Sequence, residues 1–125
     1  MSPTLITRLG AAFMALGVAA AAYGAHGLEK VVADPHLVEV WGTGARLHLF
    51  HGLGLLVLGR MAAPPKATAP LLVLGILLFS GSLYTMALTN IRWLGAITPL
   101  GGGSFIVGWA LLARHGPGDA PSGAS

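Results

Sequence analysis

The sequence predicts an all-α polytopic membrane protein, four transmembrane helices in a compact bundle. Three observations predict it. The 125 residues are 54% hydrophobic and only 9% charged, against roughly 25% charged in ordinary soluble domains. A chain so poor in charge has too little polar surface to cover itself in water, and its mean hydropathy is +0.76. Four apolar runs each approach the roughly 20 residues that cross a hydrocarbon core as a helix. The basic residues stand singly near the ends of those runs, a pattern of membrane topology and not of a nucleic-acid surface.

The first span is expected over 8–28. Leu9 to Leu28 carries no charge, Arg8 precedes it, and Gly10, Gly17, Ala21, Gly24 and Ala25 offer small residues to a neighbouring helix. A cleaved signal peptide is the competing reading, with Arg8 as its basic end. Glu29 to His36 is a polar link. Within it Asp34-Pro35 has the form of an N-cap followed by proline at the first helical position, so a helix should restart near Pro35. Counting back from Arg60 places the second span over 40–60, with Trp41 at headgroup level and His51 near mid-depth. Pro64, Pro65 and Lys66 mark a loop. The third span is expected over 70–89, closed by a tight connection at Asn90–Arg92, and the fourth over 96–114, entered through Thr98-Pro99. These spans make one domain, 1–115. Residues 116–125 are rich in Gly, Pro, Ser and Ala and read as a disordered tail.

Arg8, Arg60, Lys66 and Arg114 fall on one side of this topology; Lys30 and Arg92, with Arg46 as a further candidate, fall on the other beside Glu29, Asp34 and Glu39. The side richer in Lys and Arg is expected to be cytoplasmic. Both termini then lie inside the cell.

Polar residues within a span are expensive and therefore informative. His26, His51, Ser80, Ser82, Tyr84 and Thr98 are the candidates for one polar pocket in the outer half of the membrane. Arg46, His48, Arg92 and Ser104 are secondary members. Three histidines can bind zinc or copper, and two facing ones can bind haem. Equally, each imidazole can hydrogen-bond to a neighbouring helix. Ser80-Gly81-Ser82 and Gly101–Gly103 can expose polar groups to a ligand or let helices pack closely. There are no cysteines, so no disulfide, thiolate site or cysteine nucleophile. No P-loop, His-Glu-x-x-His or nucleophile motif is present. Neither a catalytic residue nor a cofactor nor a metal site is assigned.

Four pieces together are distinctive: Gly24-Ala25-His26-Gly27-Leu28; His51-Gly52-Leu53-Gly54-Leu55; Gly75 to Tyr84 with its Phe79-Ser80-Gly81-Ser82 centre; and Ile97-Thr98-Pro99-Leu100-Gly101-Gly102 followed by Gly108-Trp109. On these the chain resembles the domain of unknown function 423 family of small four-helix membrane proteins, which includes transmembrane protein 256. The resemblance touches all four spans and implies a four-helix membrane protein. Gly52 and Gly54 stand where that family has alanines. The resemblance brings no activity, substrate or cofactor.

The expected role is that of a small, non-enzymatic integral protein of the bacterial inner (plasma) membrane, structural or interacting with other membrane proteins. Its partners are the lipid bilayer and further membrane proteins or copies of itself, and no nucleic acid. One alternative is an oligomeric proton or small-solute transporter or channel lined by His51, Ser80, Ser82, Tyr84 and Thr98. Another is haem or metal binding through His26 and His51.

Overall fold

A computed structural model describes residues 1–118, which are helical with short connections and contain no strand. Helix α1 runs Pro3–His26 and α2 runs Pro35–Leu58. Helix α3 runs Thr68–Thr89 with a π-helical segment, Ile76–Ser80, in its middle. Helix α4 runs Thr98–His115. Short 3-10 turns, Leu28–Lys30 and Arg92–Ala96, lie in the two connections at one end. The other end holds the amino terminus, the 59–67 loop and the end of α4. There Ala63 N donates to the Pro117 carbonyl across 2.9 Å. The first residues of the expected tail therefore lie against that loop, and 119–125 lie outside the described residues. Arg8, Arg60, Lys66 and Arg114 gather at this basic end.

The helix starts follow local chemistry. Ser2 caps α1, its Oγ accepting from Leu5 N at 3.1 Å, and Pro3 fills the first turn. Asp34 caps α2 in the same way, Oδ1 accepting from His36 N at 2.9 Å, ahead of Pro35. The ends differ from the expected spans for these reasons. α1 begins at its Ser-Pro cap and not at Arg8, and α2 begins at its Asp-Pro cap and not at Val40. α3 stops where Asn90 adopts the left-handed conformation, φ 57°, which Asn tolerates better than most residues. Pro99 sits in the first turn of α4, and Gly101–Gly103 continue as helix, so the start of α4 is not unwound.

α2 and α3 form the middle of the bundle. α2 runs antiparallel to α1 and touches α3 on its other side, and α4 closes against α3. Among the described residues, α1, α3 and the Arg92–His115 segment are long and apolar enough to cross a membrane by composition. α2 has 24 residues, length enough, but carries Glu39, Arg46 and three histidines. It buries Trp41, His48, His51, Leu55 and Leu58 against protein, so much of it has no need to be as apolar as a lipid-facing helix. The apolar surface is turned outward elsewhere: Leu16, Phe50, Leu77 and Ile106 are 58–70% exposed. Such a surface suits lipid rather than water.

Close approach is built from glycine. Gly10, Gly17 and Gly24, one heptad apart, face α2 along one stripe of α1. A Cβ on Gly10 would stand 2.9 Å from the backbone nitrogen of Leu56. Two apolar clusters fill what remains. One at the basic end contains Leu55, Leu58, Leu72, Ile76 and Phe105. One at the opposite end contains Leu28, Leu37, Trp41 and Ala87.

Candidate functional site

The polar side chains of the bundle form separate interhelical contacts. His51 lies on α2, about 10 Å from its C-terminal end at 1.5 Å per residue. Its Nδ1 is 2.7 Å from the Leu47 carbonyl, and its Nε2 accepts a hydrogen bond from Trp109 Nε1 of α4 at 2.9 Å. A carbonyl only accepts and an indole N–H only donates. The two partners together therefore assign a neutral ring with the proton on Nδ1. The ring stacks on Phe105, centroids 3.5 Å apart and planes 13° from parallel. No lone pair is left: a metal or haem iron at His51 has to displace Trp109.

His48, one turn away on α2, points to other neighbours. Its Nδ1 is 2.8 Å from the Tyr84 hydroxyl of α3, and its ring meets Phe13 of α1 edge-on. Its Nε2 is buried without a hydrogen-bond partner among the described residues. Tyr84 also packs on Trp41, whose Nε1 donates to the Ala20 carbonyl at 2.7 Å.

The hydroxyls act as clamps. Ser80 Oγ donates to the Gly44 carbonyl at 2.7 Å, joining α3 to α2. Ser104 Oγ of α4 donates to the Leu71 carbonyl of α3 at 2.6 Å. Thr68 Oγ1 of α3 donates back to the Gly108 carbonyl of α4 at 3.1 Å. Ser82 Oγ donates to the Phe79 carbonyl at 2.9 Å and lies 2.6 Å from Thr98 Oγ1. A hydroxyl has one proton, so Thr98 is the donor of that pair.

Among the described residues, the side chains expected to share one outer-half pocket are not all brought together. His51 lies toward the basic end. Ser82 and Thr98 meet near the other end, Ser82 about 20 Å along α3 from Thr68. His26 is exposed at the end of α1 and joins none of these contacts. Among the described residues no three of His, Cys, Asp and Glu come together as a metal site. Arg92 is exposed in the connection before α4. Its Nε donates to Asn90 Oδ1, and its Nη2 lies 3.3 Å from Asp34 Oδ2, which ties the two connections together. Arg46 is exposed on α2, donating to Thr43 Oγ1 at 3.2 Å.

Trp109, Phe105 and Thr68 are the residues that sequence reasoning missed as partners. Trp109 carried one usable signal, an indole N–H inside an apolar span, which needs an acceptor when buried. Thr68 lies just outside the span expected from 70.

Comparison with known proteins agrees with this architecture. The family described as "Protein of unknown function (DUF423)" matches residues 20–102. A UPF0382 membrane protein of Staphylococcus haemolyticus is 44% identical over 108 residues, covering 83% of this chain and 88% of the relative. The UPF0382 membrane protein YwdK of Bacillus subtilis is 44% identical over 110 residues, with 83% and 89% covered. A UPF0382 membrane protein of Schizosaccharomyces pombe is 39% identical over 104 residues, with 78% and 88% covered. No solved structure matches. On the extent of the family match and the identity to these relatives, the chain belongs to the DUF423 family of membrane proteins.

Proposed function

We propose that the chain is a non-enzymatic structural or interaction protein of the bacterial inner (plasma) membrane, with both termini in the cytoplasm. One observation carries this reading: both nitrogens of His51, a buried titratable group, are taken by Leu47 and Trp109. The hydroxyls of Ser80, Ser82, Thr98 and Ser104 are likewise engaged within the bundle. Groups that hold helices together are not free to pass a solute along. The partners are the bilayer and other membrane proteins, met through the exposed apolar faces. The orientation is supported by the basic residues gathered at the end where α1 begins and α4 ends. A chain without cysteine allows a clean check: Lys66→Cys should label only from the cytoplasmic side and Glu29→Cys only from the other.

The role itself is tested by reconstitution. Proteoliposomes should leak protons and small ions no faster than empty vesicles. A pH-dependent flux that disappears in His51→Ala would reject the reading. The second reading, a proton path through an oligomer, has one observation in its favour, the unpartnered Nε2 of His48. A flux lost in His48→Phe but kept in His51→Ala would select it.

A further inference from the structure

We infer that the groove between α1 and α2 on the side away from the basic end holds one anionic glycerophospholipid, with its phosphate on Arg46. This inference rests on α2 lying in a membrane and not on the structural role proposed above. Arg46 is exposed, yet it stands in the middle of α2, about 16 Å from Pro35 and about 7 Å deeper than Trp41 at 1.5 Å per residue. A bare cation on the outward, lipid-exposed face of α2 at that depth is unfavourable and calls for an anion. Among the described residues Arg46 has no acidic partner. The bond it makes is to the neutral Thr43 hydroxyl, and the ion pair of the fold is Arg92–Asp34. Thr43 lies one turn toward Asp34, so the guanidinium is laid toward the headgroups at the end opposite the basic one, as a snorkelling arginine is.

Beside the guanidinium the surface opens into a groove of about 290 Å³, lined by Ala21, Ala25, Gly42, Ala45 and Leu49. A Cβ on Gly42 would meet only Arg46 Nη1, at 3.6 Å, so the trough is open where the cation leans over it. An apolar trough with one cation at its rim is complementary to an acyl chain joined to a phosphate, and guanidinium binds phosphate oxygens in a bidentate fork. A second copy fits less well. Packing about a two-fold axis normal to the membrane sets Arg46 of each copy at the same depth, and like charges repel strongly in a medium of low dielectric.

The test is native mass spectrometry on the full chain released from phosphatidylcholine vesicles that contain phosphatidylglycerol. The wild type should retain one phosphatidylglycerol in preference to phosphatidylcholine. Arg46→Ala, an exposed substitution that leaves the packing intact, should weaken that retention about tenfold, the ratio that one lost charge-assisted bond gives. Gly42→Leu, which keeps the arginine and fills the trough, should act in the same direction, and Arg92→Ala should not. Equal retention of phosphatidylglycerol by wild type and Arg46→Ala overturns the proposal, as does equal retention of the two lipids by the wild type. Efficient Gly42→Cys disulfide cross-linking between two copies in vesicles overturns it too, since the groove is then an interface.

Discussion

Trp109 Nε1 donates to His51 Nε2 across 2.9 Å, binding α4 to α2 through two polar side chains that lie 58 residues apart in the sequence. The indole fixes the tautomer of the imidazole, and Phe105 fixes its plane. A histidine deep in the bundle is thereby a structural member of it.

Trp109→Phe keeps an aromatic ring and removes the donor. It should lower stability by about 1 kcal/mol, the scale of interhelical hydrogen bonds within membranes. His51→Ala also opens a cavity and should lower stability by about 2–4 kcal/mol. Equilibrium unfolding in detergent or bicelles measures both. The double variant should cost less than the sum of the two, because the residues share one bond.

Two glycines two positions apart should respond oppositely. A Cβ on Gly101 would collide with the Phe79 backbone, where no rotamer change gives relief. Gly101→Ala should therefore cost about 3 kcal/mol, as overpacking a tight contact does. Gly103 has nothing within 4 Å of such a Cβ. Gly103→Ala should be neutral or stabilise α4 by up to about 1 kcal/mol. Thermal unfolding of the two variants in one detergent makes the comparison.

Much of the fold was legible because membrane helices announce themselves by length and composition, and because Asp34-Pro35 spells a helix start. Ser2-Pro3 spells the same start, and the charge at Arg8 lies a full turn inside α1. The π-helical segment at Ile76–Ser80 had no local signal. It places Phe79 against Gly101, and that contact depends on α4 being there. The candidate site was legible only as an inventory. Spacing of three put His48 and His51 on one broad face, but their roles diverge because each reaches a different helix, Tyr84 of α3 in one case and Trp109 of α4 in the other. Those partners follow from how α3 and α4 are rotated about their own axes, which one sequence does not state.

Ser104 and Thr68 clamp α3 and α4 reciprocally, each hydroxyl donating to a carbonyl of the opposite helix. Ser104→Ala and Thr68→Val should each cost about 0.6 kcal/mol, the average for such bonds in a membrane protein. The carbonyls they release keep their own helical donors. A much larger loss, read from the same unfolding curves, would mean that the hydroxyls do more than bridge.

The connection between Asp34 and Arg92 separates two kinds of polar contact. Their side chains are 44% and 55% exposed, so Arg92→Ala should change stability by less than about 0.5 kcal/mol and less still in high salt. Asp34→Ala loses the same ion pair and also the N-cap to His36 N. It should cost about 1 kcal/mol more than Arg92→Ala, with a part that salt does not remove. Denaturation at two ionic strengths distinguishes the terms.

The central claim, that His51 is a bonded strut of the bundle, is tested most directly by the nitrogen spectrum of its imidazole in lipid bilayers. In ¹⁵N-histidine-labelled protein at neutral pH, His51 should show a protonated Nδ1 and an unprotonated Nε2, and the Nε2 resonance should shift in Trp109→Phe. An Nε2–H tautomer, or an Nε2 resonance indifferent to the loss of the indole donor, would contradict the account.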